Sequence, residues 1–257
     1  MRDAGPDPVE YMLQVARTPS ATAYKTHVLA ELELSSEIVV VDVGCGPGTD
    51  LKAMAERTTP RGLAVGLDLD SRMLMAATAS VPPATSLAVA DAHRMPFTSA
   101  SVDRLRTDRS LQHMRDPMRV LAEFARVLRP GGIAVIAEPD WATLVIDTAR
   151  GDVSRRFVDY TCGEVVRNAH IGRQVARLGA DAGLVTRNVV AFPAVLRDFA
   201  TADKIFGLTR NALAAVESEY LSSEEAKAWI ADLSTGPILA AVTLFVTTLI
   251  NPADRLP

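Results

Sequence analysis

From residue 38 onward, short apolar runs alternate with longer stretches in which apolar residues recur every three or four positions, the pattern of parallel strands joined by helices. Strands are read at 38–43, 63–68, 86–90, 101–106 and 133–137, each rich in aliphatic or β-branched residues. The clearest helix opens at Asp116-Pro117, a capping residue followed by proline at the first helical position, and carries Val120, Leu121, Phe124 and Leu128. Pro130-Gly131-Gly132 ends it. Two helices precede the alternation, at 9–16 and 21–34, and in the second Tyr24, Val28 and Leu32 share a face. Beyond it the pattern predicts helices at 152–168 and 171–182, the latter stopped by Gly183 in a left-handed conformation, then a strand at 185–192. A helical region at 201–216 follows, and Ser222 with Glu225 forms a capping box for a helix reaching Leu233. Gly236-Pro237 breaks the chain before a last apolar strand at 238–250.

The implied class is α/β, a layered sandwich about a mostly parallel sheet. A length of 257 residues suits one such domain with a cap. The expected division is an N-terminal helical cap segment, 1–34, and a main domain, 35–257, with cap insertions at about 141–170 and 200–234. A hydrophobic share of 48% against 23% charged residues is that of a folding globular chain.

A net charge of −4 gives no general attraction to phosphate backbones, so no nucleic-acid partner is expected. Seven arginines fall between Arg104 and Arg129, but they alternate with Asp103, Asp108, Asp116 and Glu123 and read as a solvated, salt-bridged face. The longest apolar stretch, 238–250, is shorter than the ~20 residues a spanning helix needs and holds three threonines, so no membrane role is expected. The first residues lack the apolar run of a secretion signal. Cys45 and Cys162 have no spacing that suggests a metal site or a disulfide, which points to a reducing, cytoplasmic setting without a metal. A homodimer is left open.

The strongest chemical signal is the strand Val39-Val40-Val41-Asp42-Val43 running into Gly44-Cys45-Gly46-Pro47-Gly48 and then a helix. Glycines there allow unusual dihedrals and close approach of backbone to a ligand. Asp68 ends the second strand twenty residues after Gly48, where a carboxylate can accept hydrogen bonds from ribose hydroxyls. A dinucleotide and S-adenosylmethionine both present an adenosine to such a crevice. A pyrophosphate wants free N–H groups and no negative charge at the helix start, whereas this turn has Pro47 and Asp50. S-adenosylmethionine lacks phosphate and bears a positive sulfonium, so it tolerates acids.

These residues, with Val65-Gly66-Leu67-Asp68, Ser71-Arg72-Met73-Leu74, Ala90-Asp91-Ala92, Met95-Pro96-Phe97, Leu111-Gln112-His113 and Arg126-Val127-Leu128-Arg129-Pro130-Gly131-Gly132, make the chain resemble class I, Rossmann-like methyltransferases. The pattern is similar to that of the ubiquinone/menaquinone and bacterial natural-product enzymes, and covers about residues 38–137. The resemblance implies a three-layer sandwich with a seven-stranded sheet whose C-terminal strand is antiparallel. It also implies S-adenosylmethionine as cofactor, S-adenosylhomocysteine as product and a small-molecule acceptor. On the family pattern the turn of Gly44, Cys45, Gly46 and Gly48 holds the methionine part, Asp68 with adjoining Leu69 the ribose, and Asp91 with Ala92 the adenine. Asp42 bonds either the turn's own amides or the cofactor's ammonium group.

Methyl transfer depends mainly on alignment, which can supply ~7–11 kcal/mol, whereas a general base adds ~10²–10⁴-fold. His113, just past the fourth strand, is the expected base, since its ordinary pKa suits proton removal near neutrality. Arg109 is a candidate partner for an anionic group on the acceptor, and Glu138 and Asp140 are expected to face the acceptor side. Trp141 can stack on an aromatic acceptor, while Tyr24, His27 and His170 read as structural. No Asn-Pro-Pro-Tyr or Asp-Pro-Pro-Tyr motif occurs, which argues against amino groups of DNA bases or glutamine as acceptors. Three alternatives stay open: a cyclisation or rearrangement without methyl loss, a non-catalytic cofactor-binding protein, and a nicotinamide-dependent oxidoreductase.

Overall fold

A computed structural model of the chain describes residues 7–16, 18–83 and 85–253. Residues 1–6 and 17 of the expected 1–34 segment, and residues 84 and 254–257 of the expected 35–257 domain, lie outside them. In chain order the elements are α1 (Pro8–Ala16), α2 (Pro19–Glu31), β1 (Val39–Val43), α3 (Leu51–Thr58), β2 (Leu63–Asp68), α4 (Ser71–Thr78), β3 (Ser86–Val89) and β4 (Val102–Asp108). Then come α5 (Pro117–Val127), β5 (Leu128–Ile146), α6 (Gly151–Tyr160), α7 (Ile171–Asp181), β6 (Val185–Leu196), α8 (Phe199–Phe206), α9 (Leu208–Glu217), α10 (Ser223–Thr235) and β7 (Ala240–Ile250). A 3-10 turn, Leu111–His113, precedes α5, and a π turn, Thr161–Val165, extends α6.

The strands form one seven-stranded sheet in the order β3-β2-β1-β4-β5-β7-β6. All pairings are parallel except those of β7, which runs antiparallel to both β5 and β6. Strand order reverses between β1 and β4. In open α/β sheets the crevice beyond the carboxyl ends of strands at such a reversal is where ligands bind.

The sheet is covered on both faces, which is why its central strands read as continuous apolar runs. Val41, Val43, Leu105 and Ile136 pack with Val120 and Phe124 of α5 and Ile171 and Val175 of α7. On the other face Val40 meets Met54 of α3, and Tyr24 and Val28 of α2, with Leu32 just after it, meet Val135 and Val246. The expected caps are formed: Asp116 accepts the Arg119 N–H at 3.1 Å, and Ser222 and Glu225 bond each other's amides at 3.2 and 2.8 Å.

Several elements run differently from their sequence pattern. The expected strand at 133–137 is the middle of β5, which continues to Ile146 because β7 supplies antiparallel partners as far as Val145–Ala241 and Ile146–Ala240. The strand expected at 185–192 likewise continues, past Pro193, to Leu196. The helical region at 201–216 is two helices: Gly207 takes φ +65°, and the Asp203 side chain accepts the Thr209 N–H beyond it at 2.6 Å. A second apolar cluster sits on the overhanging ends of β5 and β7. Leu144, Ile146 and Val242 pack there against Phe157 of α6, Phe206 of α8, Ala212 of α9 and Trp229 of α10. The Trp229 indole N–H donates to Ser154 Oγ at 3.0 Å, and its ring lies 4.9 Å from that of Phe157.

Candidate active site

The glycine turn after β1 is left-handed at three positions, with φ of +72°, +54° and +74° at Gly44, Gly46 and Gly48. Its backbone is anchored to β2: the Gly44 and Cys45 N–H groups donate to Leu67 O at 2.8 and 2.9 Å. A Cβ on Gly44 would come within 2.5 Å of Ser110 Oγ, and one on Gly46 within 2.5 Å of Met12 Cε. Glycine is thus favoured at both positions by the dihedral, and at Gly44 also by contact with the Ser110 side chain, whereas the flexible Met12 tip beside Gly46 can move. Asp68, at the tip of β2, accepts the Gly46 N–H through one oxygen and the Asp70 N–H through the other, each at 2.9 Å. At the end of β3, Asp91 accepts from the His93 N–H at 2.9 Å and lies 2.6 Å from His93 Nδ1. Those bonds hold the Asp91 carboxyl below its ordinary pKa. The Asp116 N–H donates to Nε2 of the same imidazole at 3.2 Å, which ties Asp91 to the start of α5.

These groups open onto one cavity of about 1120 Å³. Gly44, Asp68, Leu69, Asp91 and Ala92 line it at the carboxyl edge of the parallel strands. Tyr11, Trp141, Phe206 and Leu244 contribute apolar wall, and Arg109 and His113 also reach it. The volume exceeds the ~300–1,000 Å³ usual for one drug-sized ligand, so there is space for two. Trp141 is fixed by an indole N–H bond to Gln112 Oε1 at 2.7 Å and an edge-on contact with Phe206.

The structure divides the residues expected at the site. Cys45, Gly46 and Gly48 shape the turn without lining the cavity, and burial pushes the Cys45 thiol well up. Asp42 is wholly buried and bonds neither the turn's amides nor open space. Both its oxygens accept from Arg106, at 2.8 and 2.9 Å. Glu138 and Asp140 turn into the protein, against the expectation that they face an acceptor. Glu138 Oε1 accepts the Ser110 and Leu111 N–H groups, each at 2.7 Å, and Asp140 is bonded by Arg173. Complete burial pushes the Glu138 carboxyl up to about 8, and its other oxygen has no partner among the described residues. His27 packs on Phe192, and neither it nor His170 lines the cavity.

His113 ends the 3-10 turn with its imidazole open to the cavity and no side-chain hydrogen bond among the described residues. The protein around the ring, and then the Arg109 guanidinium, lower its pKa below the ordinary 6.5. That direction favours the neutral imidazole, the form that can accept a proton. Arg109 sits at φ +52°, an uncommon conformation for a side-chain-bearing residue, and its N–H is tied to Ala137 O at 2.8 Å.

Beside the cavity lies a buried ionic cluster that the sequence pattern does not reveal. The expected solvated arginine face excludes Arg106, which is only 3% exposed. Its second terminal nitrogen donates to Asp50 at 2.6 Å and Asp108 at 2.7 Å. Lys25 of α2 bonds Asp50 and lies 3.3 Å from Asp108, and the Tyr24 hydroxyl is 3.1 Å from Asp108. Burial opposes charge on Asp50 and Asp108, but Arg106 and Lys25 outweigh it and hold both carboxyls low. For Asp42 burial wins, with Asp50 and Asp108 adding repulsion, and its pKa is raised. The cluster joins α2, the helix after the glycine turn and β4. The one advance sign of it was a pair of charged residues, Asp42 and Arg106, inside apolar strands.

Residues 41–136 match the family described as a methyltransferase domain. The chain is 42% identical over 245 residues to an uncharacterised 37.1 kDa protein in transposon TN4556 of Streptomyces fradiae, covering 95% of this chain and 71% of that protein. It is 33% identical over 134 residues to the methyltransferase GfsG of Streptomyces halstedii, covering 51% of this chain. It is 31% identical over 118 residues to the ubiquinone/menaquinone biosynthesis C-methyltransferase UbiE of Bordetella parapertussis, covering 45% of this chain. The match spans 46% of the length of each of these two relatives. The [4+2]-cyclase SpnF, at 18% identity, shares the fold with a TM-score of 0.58 over 91% of this chain and 82% of that one. No helix among the described residues is long and apolar enough to cross a membrane.

Proposed function

We propose that the chain, in which residues 41–136 match a methyltransferase domain, is a class I S-adenosylmethionine-dependent methyltransferase that transfers the methyl group of that cofactor to the oxygen, nitrogen or carbon of a small-molecule acceptor in specialised metabolism. The observation that carries this reading is a cavity whose wall joins the glycine turn, Asp68 and Asp91 to apolar side chains such as Trp141, Phe206 and Leu244. The left-handed turn, and the two acids at the neighbouring strand tips, suit a nucleoside carrying a cationic amino-acid tail.

When bound, the cofactor supplies a methyl group made electrophilic by a positive sulfonium. Gly44 gives its backbone to the cofactor's methionine part, Asp68 accepts from the ribose hydroxyls, and Asp91 accepts from the adenine amino group. His93 serves by fixing the Asp91 carboxylate. The helices α6, α8, α9 and α10, with α1 and α2, act as a cap that excludes water from the apolar wall. Alignment of acceptor and methyl group in that enclosure is the main catalytic contribution. His113 takes the acceptor's proton where one must be removed, its lowered pKa favouring the neutral form.

Incubation with methyl-labelled cofactor and metabolite extracts of the source organism tests this. Labelled product should form together with an equal amount of S-adenosylhomocysteine. An acceptor that is consumed without S-adenosylhomocysteine would instead establish a cyclisation or rearrangement, and the absence of any turnover would favour a binding protein.

A further inference from the structure

The charged residues on the cavity wall differ in how far they are already paired. Four carboxylates line it, and each is already committed. Asp68 holds two backbone amides, Asp70 pairs with Arg72, Asp91 with His93, and Asp108 is enclosed by Arg106, Lys25 and Tyr24. Four of the cations on the wall, Arg109, Arg167, Lys204 and Arg210, are much less used. Arg109 reaches Asp108 only through Nε, at 3.4 Å. Lys204 has an exposed partner, Glu10, at 3.7 Å. Arg167 and Arg210 have no carboxylate partner among the described residues, and the single side-chain bond of Arg210 is to Asn211 Oδ1 at 3.3 Å.

Two of these cations adjoin the segment that carries His113. Arg109 begins it, and Arg167 precedes Asn168, whose side chain donates to Leu111 O and Met114 O at 2.8 and 2.7 Å. Lys204 and Arg210 stand on α8 and α9, on either side of Phe206. Two cations without a carboxylate partner among the described residues, Arg167 and Arg210, thus stand beside apolar wall, while the lining carboxylates are given either to the cofactor, as Asp68 and Asp91 are, or to Arg72, Arg106 and Lys25. A cationic acceptor would meet like charge there, whereas a carboxylate or phosphate would find guanidinium donors.

From this we propose that the acceptor is an apolar molecule bearing an anionic group, a carboxylate or a phosphate, which Arg167 and Arg210 bind while the hydrocarbon body lies along Trp141, Phe206 and Leu244. The proposal rests on the reading of this cavity as one that holds cofactor and acceptor together. Arg167 and Arg210 then set specificity and steer the acceptor inward, so the preference should weaken with salt.

The test uses the full chain saturated with S-adenosylhomocysteine and titrated with octanoate, octyl phosphate, octanol and octylamine, each displacing an apolar fluorescent probe. Because the two guanidinium groups are solvent-accessible, the preference for the better anion over octanol should be about tenfold, between the values for buried and exposed charge pairs. Octylamine should bind more weakly than octanol. The comparison of octanoate with octyl phosphate identifies which anion the site takes. The Arg167→Gln/Arg210→Gln double variant, checked for an unchanged melting temperature, should bind octanol as before and lose most of the preference. Equal binding of anion and alcohol, a preference for the amine, no binding of any of the four, or an undiminished preference in the double variant would overturn the proposal. The preceding titration with S-adenosylhomocysteine separates the two readings. Its failure counts against the cofactor assignment, whereas saturation without anion preference counts against the acceptor class alone.

Discussion

Replacing Arg106 with methionine removes the hub of the buried ionic cluster and leaves Asp42, Asp50 and Asp108 facing Lys25 and the distant Nε of Arg109. Methionine fills similar apolar volume, so the loss is chiefly electrostatic. Breaking a buried ion pair by removing one partner costs about 3–5 kcal/mol, because a charge is left unpaired in a poorly polarisable interior. At about 2–4 °C per kcal/mol for a domain of this size, the melting temperature should fall by roughly 6–20 °C. The defect should also depend on pH. Without Arg106 the folded-state pKa of Asp42, already raised, climbs further above the unfolded value of about 3.9. Between those two values the folded variant holds an extra proton, so its stability falls as pH rises through that window. The difference from the native chain should therefore be smaller at about pH 5 than at about pH 8. Thermal unfolding followed by circular dichroism at both pH values measures this. A melting temperature within about 2 °C of the native chain, or a deficit equal at both pH values, would show that Arg106 does not neutralise the buried carboxylates.

Asp68→Ala should weaken cofactor binding by about 1.5–3 kcal/mol, the range for hydrogen bonds to a charged group, and an unchanged dissociation constant would remove Asp68 from the site. His113→Ala should lower turnover by about 10²–10⁴-fold while leaving cofactor affinity nearly unchanged. In the native chain the acid limb of the rate profile should fall below pH 6.5, because burial and Arg109 depress the His113 pKa. A limb above that value, or a variant with full turnover, would exclude His113 as the base. Glu138→Gln keeps an oxygen for the Ser110 and Leu111 amides but removes a carboxyl whose folded pKa is about 8 against an ordinary 4.5. Between those values the folded native chain holds the extra proton, so its stability falls with rising pH, and the variant's relative stability should increase by a few kcal/mol from about pH 5 to about pH 8. Denaturant midpoints at the two pH values check this, and a constant difference would contradict it. Trp229→Ala should cost about 3–5 kcal/mol, as for other buried large-to-small changes, measured by urea unfolding, and a loss under 1 kcal/mol would show that the α6–α10 packing is not as described.

What could be read from the sequence followed from local rules. Strand and helix alternation, the capping residues Asp116 and Ser222, and the glycines at 44, 46, 48 and 183 each depend on a few neighbouring positions, and their geometry is as expected. The antiparallel β7 came from family likeness, since periodicity carries no direction. What escaped depended on distant partners. The strand β5 outruns its own apolar segment because β7 pairs with it through Pro139 and Asp140, residues that by themselves suggest a loop. Glu138 follows an apolar strand and looks like an exposed strand-end acid, yet the turn at residues 110–113 folds over it and supplies two amide donors. Asp42 resembles a ligand residue in the family pattern, but Arg106, 64 positions later, claims both its oxygens. Lys25 and Asp50 meet only because α2 lies against the helix that follows the glycine turn.

The glycine turn, Asp68 and Asp91 together should grip one nucleoside. In equilibrium dialysis against radiolabelled S-adenosylmethionine the full chain should retain one label per chain, displaced by S-adenosylhomocysteine and not by NADH. No retained label, or displacement by NADH alone, would show that these groups do not form the cofactor site.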